Sequence, residues 1–207
     1  MIYENNKLVR ALTRGDGVNG EDVTENVKTI KEVPLMLTSE IPLNIEVRGE
    51  IYFEKVDFEN LNTRQSQLGK KLFGNSRNAA AGTLRQIDPK ITASRPLTIC
   101  CYALVNANLI KNISRQSEAL EFLRSVGFKT SDDMQLVTGR QRALAVFNDI
   151  EKRRKKLPYD IDGVVFKVND LGLQESIGSI ARAPRWATAF KFAPDEEITK
   201  ILAIDVQ

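Results

Sequence analysis

Five short blocks bring charged, small and glycine residues together where an ordinary core strand would be apolar. They are Thr13-Arg14-Gly15-Asp16-Gly17, Val47-Arg48-Gly49-Glu50, the run NSRNAAAGTLR from Asn75 to Arg85, the run DIDGVVFK from Asp160 to Lys167, and Ala183-Pro184-Arg185-Trp186 continuing to Phe190-Lys191-Phe192. They supply Arg14, Arg77, Arg85, Lys167 and Lys191 as cations and Glu50 and Asp162 as carboxylates. That set suits phosphoryl or nucleotidyl transfer. Such chemistry needs fixed positive charge around the phosphorus and a hard cation on oxygen ligands, and it has no need of imidazole.

The segment from Asp160 to Asn169 carries the most information. Strand alternation puts Asp160, Asp162, Val164 and Phe166 on one face and Gly163, Val165 and Lys167 on the other. An ionised side chain in an otherwise apolar strand is costly unless it is paired or liganded. The combination therefore points either to a site on the sheet surface or to a structural ion pair at the strand end. The basic run Lys152 to Lys156 fits a solvated helix C-terminus, favoured by the helix dipole, or a nucleic-acid patch. Arg14-Gly15-Asp16 also matches an adhesion-like tripeptide, a pattern too short to be specific. Ala79-Ala80-Ala81-Gly82 is small enough for a helix to approach another backbone or a ligand closely. Trp186 is expected in the core.

The composition narrows the chemistry. The chain has 207 residues, no histidine, 30 basic against 27 acidic residues, and 42% hydrophobic content. It is long enough for one large or two small domains with a real core. Without histidine, Ser-His-Asp and Cys-His nucleophilic sites, His-ligated zinc and imidazole proton shuttles are all excluded. Cys100 and Cys101, the only cysteines, are adjacent in an apolar run, which suits a buried strand better than a disulfide or metal site. No apolar stretch approaches the ~18 residues of a membrane span and MIYENNKLVR is not a signal-peptide core, so the chain reads as cytoplasmic with no membrane partner. A net charge of +3 makes the placement of the basic residues matter more than their sum.

These residues need elements to hold them. Met1 to Glu4 and Lys7 to Arg14 alternate around Asn5-Asn6 and predict a β-hairpin. Helices are predicted over Glu21 to Ile30, Lys55 to Leu68, Asn78 to Gln86, Ser114 to Val126 (closed by Gly127) and Gln141 to Lys156. Strands are predicted over Ile45 to Phe53, over Leu97 to Val105 with both faces buried, and over Ile161 to Val168, Ala187 to Phe192 and Ile201 to Val206. No repeat, low-complexity tract or long linker intervenes. One α+β domain with a mixed, mainly antiparallel sheet is the economical reading.

At the five blocks the sequence resembles the adenylation (nucleotidyltransferase) domain of bacterial NAD-dependent DNA ligases. The likeness runs from the hairpin with YENNKLVRALTRGDGVNGEDVTENVKTI to the closing DVQ. It implies an α+β nucleotidyltransferase fold, ATP-grasp-like, with flanking helices. It also implies a three-step reaction. A lysine attacks the α-phosphate of NAD and releases nicotinamide mononucleotide; AMP passes to a 5′-phosphate at a DNA nick; the 3′-hydroxyl then displaces AMP. On this resemblance Arg14 contacts nucleotide or nick, Glu50 the ribose or metal, and Arg77 and Arg85 orient phosphates. Tyr102 stacks on adenine and Val165 lines the nucleotide site. Arg154 serves nucleotide binding or sealing, Lys167 and Lys191 hold the α-phosphate, and Asp162 is the Mg2+ carboxylate. Ser76 stands where the family usually has proline, which loosens the turn before Arg77 but removes no ligand.

One departure bears on what these residues can do. The family's nucleophile lies in a Lys-x-Asp-Gly motif expected just before the hairpin, and no such motif occurs in the 207 residues. Arg14-Gly15-Asp16-Gly17 mimics its spacing, but an arginine stays protonated. Residues 1–207 are thus expected to be a partial adenylation domain. It would lack the upstream strand and the downstream oligonucleotide-binding barrel, with no zinc, weak nicked-DNA binding and no self-adenylation. Two other readings remain: a non-catalytic DNA- or nucleotide-binding module, and a site completed by an N-terminal segment that adds to an exposed sheet edge. That edge would also leave the piece only marginally stable and prone to aggregate.

Overall fold

In a computed structural model, which describes residues 1–194 apart from 18, 41, 106, 181 and 182, and also residue 203, Asn5 and Asn6 both take positive φ (48° and 68°). They turn Ile2–Glu4 (β1) back into Lys7–Arg10 (β2). Asparagine tolerates this conformation because its short polar side chain bonds locally. β1 also pairs antiparallel with Ile45–Tyr52 (β3).

The helix expected over Glu21 to Ile30 shrinks to Thr24–Val27 (α1). Its first residues are used otherwise: Leu12 bridges to Asp22, Thr13 N–H donates to Glu21 O (3.0 Å), and Ala11 N–H donates to the Thr24 hydroxyl (2.9 Å). Backbone committed to a ladder cannot also serve a helix. The TRGDG block is consequently the loop between two paired segments. Gly15 takes φ +52°, and a Cβ there would lie 1.7 Å from Asn19 O, so only glycine closes this loop.

Lys55–Gln67 (α2) and Ser76–Leu84 (α3) follow β3. The Asn75 side chain caps α3 by accepting from Asn78 N–H (2.7 Å). Ala79, Ala80 and Thr83 are buried against β3, so the small residues serve helix packing, whereas Gly82 faces open space. Pro89–Ala93 (α4) is a five-residue helix capped by Asp88. A buried polar chain joins α1, α3 and α4. Asn26 donates to Gln86 O and the Thr92 hydroxyl (both 2.8 Å), and Thr92 donates to Thr83 O (2.8 Å).

Thr98–Leu104 (β4) completes a four-stranded antiparallel sheet in the order β2-β1-β3-β4. Its burial on both faces holds only for the first half, since Tyr102 is 43% exposed. Gln116–Ser125 (α5) buries Ala119, Leu120 and Leu123, and Gly127 at φ +105° ends it. Around them Tyr3, Val27, Val47, Ile99, Cys101 and Phe128 form the core, with Tyr3 edge-on to Phe128 at 5.3 Å. Burial pushes the Cys101 thiol up to about 12, which makes it a structural hydrophobe.

Arg140–Arg153 (α6) ends in a tighter turn over Arg154–Lys156. It covers one face of a separate antiparallel pair, Gly163–Lys167 (β5) with Ala187–Lys191 (β8), reached through Leu171–Ile177 (α7) and the two-residue strands Ser179–Ile180 (β6) and Ala183–Pro184 (β7). Phe147 packs on Phe190 and Phe192, and Phe166 meets Phe190 edge-on at 5.5 Å. Trp186 is only half-buried, at the turn into β8, and not in the core. The strand expected over Ile201 to Val206 lies outside the described residues. All pairings between named strands are antiparallel, with one parallel bridge, Cys101 to Thr130.

Candidate functional site

The face of the β5–β8 pair turned away from the aromatic cluster carries the two lysines. Gly163 pairs with Lys191 and Lys167 with Ala187, so both lysines project to the same side, separated by roughly 13 Å of strand. Val165, opposite Ala189, lies between them and is exposed. The pair is unusually close at its start. A Cβ on Gly163 would sit 2.2 Å from Phe190 O, so glycine is required where Asp162 enters the strand.

Lys167 reaches across to β4. Its Nζ donates to Tyr102 O (3.0 Å) and lies 5.2 Å from the centroid of the Tyr102 ring. Burial pushes its pKa below the ordinary lysine value. The Tyr102 phenol is pushed up, chiefly by burial and next by the Glu50 charge, with Arg48 and Arg14 acting the other way. Tyr102 therefore lies within electrostatic reach of Glu50, Arg48 and Arg14.

At the other end of β5, Lys191 donates to the Asp162 carboxylate. Phe192 N–H donates to Asp162 O (3.0 Å), which carries the ladder one step beyond β5, so the Asp162 carboxylate bonds Lys191, the neighbour of its cross-strand partner, at the edge of the pair. The Lys191 hydrogen bond holds the Asp162 carboxyl below the usual range, and Arg77 adds a smaller effect. Arg77, the second residue of α3, lies 3.7 Å from Glu50 on β3. Glu50, Arg77, Asp162 and Lys191 thus alternate in sign along one wall.

Glu50, Arg77, Tyr102, Asp162, Val165, Lys167 and Lys191 share this neighbourhood, Arg14 is linked to it only by its charge acting on Tyr102, and Arg85 and Arg154 are engaged elsewhere. Arg85 makes a bidentate pair with Glu21 (2.6 and 2.9 Å), which ties the TRGDG loop to the end of α3. Arg154 stacks over Phe192 at 5.3 Å and donates to Ala193 O (3.3 Å). The basic run is largely structural at Arg153, which pairs with Asp133 (2.6 Å) and Asp149 (2.9 Å). Asp160, singled out in the sequence only as a strand-face residue, bonds Ser76 (3.2 Å) and lies 3.6 Å from Lys55. No local pattern marks it, because both partners come from distant sequence.

Glu50 and Asp162 are the carboxylates that would hold a divalent cation here, together with the phosphate oxygens of a bound nucleotide. Among the described residues no three His, Cys, Asp or Glu side chains converge, and Glu50 and Asp162 each face a cation. The arrangement offers cations at two depths, carboxylates able to accept hydrogen bonds from hydroxyls, and a half-exposed aromatic ring, groups that can pair with phosphate, sugar hydroxyls and a flat ring. Among the described residues no helix is long and apolar enough to cross a membrane.

Charged walls between two antiparallel sheets, without imidazole, suit a domain of the nucleotidyltransferase class. More specifically, residues 1–195 match the family model described as the NAD-dependent DNA ligase adenylation domain, and the chain belongs to that family. It is 50% identical over 208 aligned residues to the DNA ligase of Ectopseudomonas mendocina (strain ymp), covering 99% of this chain and 26% of that protein. It is 48% identical over 206 residues to the DNA ligase of Marinomonas sp. (strain MWYL1), covering 99% of this chain and 31% of that protein. The chain therefore spans about a quarter to a third of these relatives.

Proposed function

We propose that the chain binds the AMP portion of NAD in the groove between the β3–β4 and β5–β8 sheets, as the adenylation core of a nick-joining ligase with an ATP-grasp-like nucleotidyltransferase fold. The observation that carries this is the placement of Lys167 and Lys191 on one exposed strand face. Tyr102 stands at one end of that face, and Asp162, Arg77 and Glu50 stand at the other. An adenine stacked on Tyr102 leaves Glu50 for the ribose hydroxyls, with Val165 beneath, and the α-phosphate falls between Lys167 and Lys191. Arg14 and Arg77 meet the remaining phosphate charge.

Each cation here stabilises charge on the phosphoryl oxygens that grows as the bond to the leaving group breaks. On this reading the attacking lysine is not among these residues. The 207 residues contain no Lys-x-Asp-Gly, and Lys167, followed by Val168-Asn169, is already donating to a carbonyl. We read the piece as binding nucleotide without forming a lysyl-AMP bond. A nucleophile-bearing segment outside these 207 residues would complete the site, and nicked duplex DNA is the partner of the assembled site.

The test is incubation with adenine-labelled NAD and Mg2+, followed by both native and denaturing separation. Label retained under native conditions and lost on denaturation is the expected result. A labelled band that survives denaturation would overturn the missing-nucleophile reading. No retention at millimolar NAD, together with no NMR shifts at Tyr102 or Val165 on AMP addition, would overturn the site itself.

A further inference from the structure

Asp160 lies outside the groove, yet its carboxylate joins three elements. One oxygen accepts from the Ser76 hydroxyl at the first residue of α3 (3.2 Å), and the other faces Lys55 Nζ at the first residue of α2 (3.6 Å). The surrounding segment is held on the same side: Lys55 N–H donates to Pro158 O (2.7 Å) and Lys55 Nζ to Lys155 O (3.1 Å). Tyr159, one residue before Asp160, donates to Asp133 (3.0 Å) and packs edge-on against Tyr52 of β3 at 5.3 Å.

The sequence positions on either side give these contacts their consequence. Ser76 immediately precedes Arg77, and Asp160 precedes Asp162 by two residues. The Ser76–Asp160 bond therefore clamps together the two backbones that carry Arg77 and Asp162, whose charges act on one another. We infer that Asp160, through Ser76 and Lys55, is a positioning residue that sets Arg77 and Asp162, and with them Lys191, at the phosphate end of the groove. The Ser76 hydroxyl gives the first turn of α3 a tertiary restraint that a residue without a side-chain donor could not make. The Asp160 side chain is 66% exposed and that of Lys55 31%, and an ion pair this open to water stabilises little, so the contact acts on geometry more than on folding.

The inference rests on the AMP site proposed above, and the experiment separates the two. Dissociation constants for AMP and for adenosine are measured by NMR titration on the 207-residue chain and its Asp160→Ala, Asp160→Asn and Ser76→Ala variants. Melting temperatures are recorded for each. Adenosine reads the Tyr102 end; the AMP-to-adenosine preference reads the phosphate end. In Asp160→Ala the preference falls about 3- to 10-fold, while adenosine affinity and melting temperature stay near the parent's. Ser76→Ala loses part of the same preference, and Asp160→Asn, which keeps an acceptor for Ser76, loses less than Asp160→Ala. Parent-like preferences in both Asp160→Ala and Ser76→Ala would overturn the inference alone. If Asp160→Ala does not fold, Ser76→Ala decides it. A parent chain that binds AMP no better than adenosine would overturn the site reading, and the inference with it.

Discussion

At the residue scale the site is a set of charges already answering one another, and titration exposes the pairing. Asp162 has an ordinary carboxyl value of 3.8, and Lys191 holds it lower in the folded chain. A depressed carboxyl contributes stability that is present above pH 3.8 and lost as the pH falls through the lowered folded value. Because both side chains are mostly exposed, the contribution to overall stability is small, and the carboxyl's own titration is the clearer readout. Lys191→Met should return the Asp162 carboxyl toward 3.8 in a carbon-13 NMR titration. An unchanged value would mean that the pair does not form in solution. Lys167 behaves with the opposite sense. Burial lowers its pKa from 10.5, so the unfolded chain holds the proton more tightly, and stability rises with pH from that lowered value toward 10.5. The buried Cys100 and Cys101 thiols, raised above 9.0, act in the opposite sense over the same range, so the Lys167 contribution is read as a difference: between pH 8 and pH 10 in urea unfolding, Lys167→Met should lose more stability than the parent.

At the scale of elements, the β5–β8 pair depends on Gly163 for its spacing. Gly163→Ala forces a methyl to within 2.2 Å of Phe190 O, so the strands must part where Asp162 and Lys191 meet. The expected cost is about 1–3 kcal/mol in urea unfolding, with a loss of AMP affinity larger than that of adenosine. A variant of parental stability and affinity would show that the strands are not this close. The same scale explains what the sequence could reveal. The Asn5-Asn6 hairpin was legible because two adjacent residues that tolerate positive φ interrupt an alternating pattern. Strands β3, β5 and β8 and helices α2, α5 and α6 were legible from apolar spacing, β4 from its continuous apolar run and α3 from its alanines. α4, α7, β6 and β7 were not, since two to seven residues are too few to show a period. The α1 region was misjudged because a tertiary ladder to Ala11, Leu12 and Thr13 outbids local helix pattern. In the site, residue types were legible and partners were not. Ser76 with Asp160 and Arg85 with Glu21 are joined across 84 and 64 residues, a distance no local pattern spans.

At the scale of the whole molecule, the question is how much positive charge is left for a polyanion. The chain carries 30 basic and 27 acidic residues, and many cations a DNA phosphate would need are turned onto acids: Arg77 to Glu50, Arg85 to Glu21, Arg153 to Asp133 and Asp149, Lys191 to Asp162. A protein that neutralises Z phosphates loses affinity with salt at a log–log slope of about −0.9Z. With so many cations committed internally, we expect nicked duplex to bind weakly, with a slope of about −2 to −3, reflecting two or three phosphates. Arg77→Ala should make the slope shallower by about one. Arg153→Ala should leave the slope unchanged while lowering the melting temperature, because its pair with Asp133 is partly buried and fastens α6 to the preceding loop. Fluorescence anisotropy on a labelled nicked duplex between about 20 and 200 mM salt measures the three slopes, and thermal unfolding measures the Arg153→Ala melting temperature. A slope of about −6 or steeper, reduced by Arg153→Ala, would instead make the basic run a DNA-binding face and favour a DNA-holding module over a nucleotide-binding core.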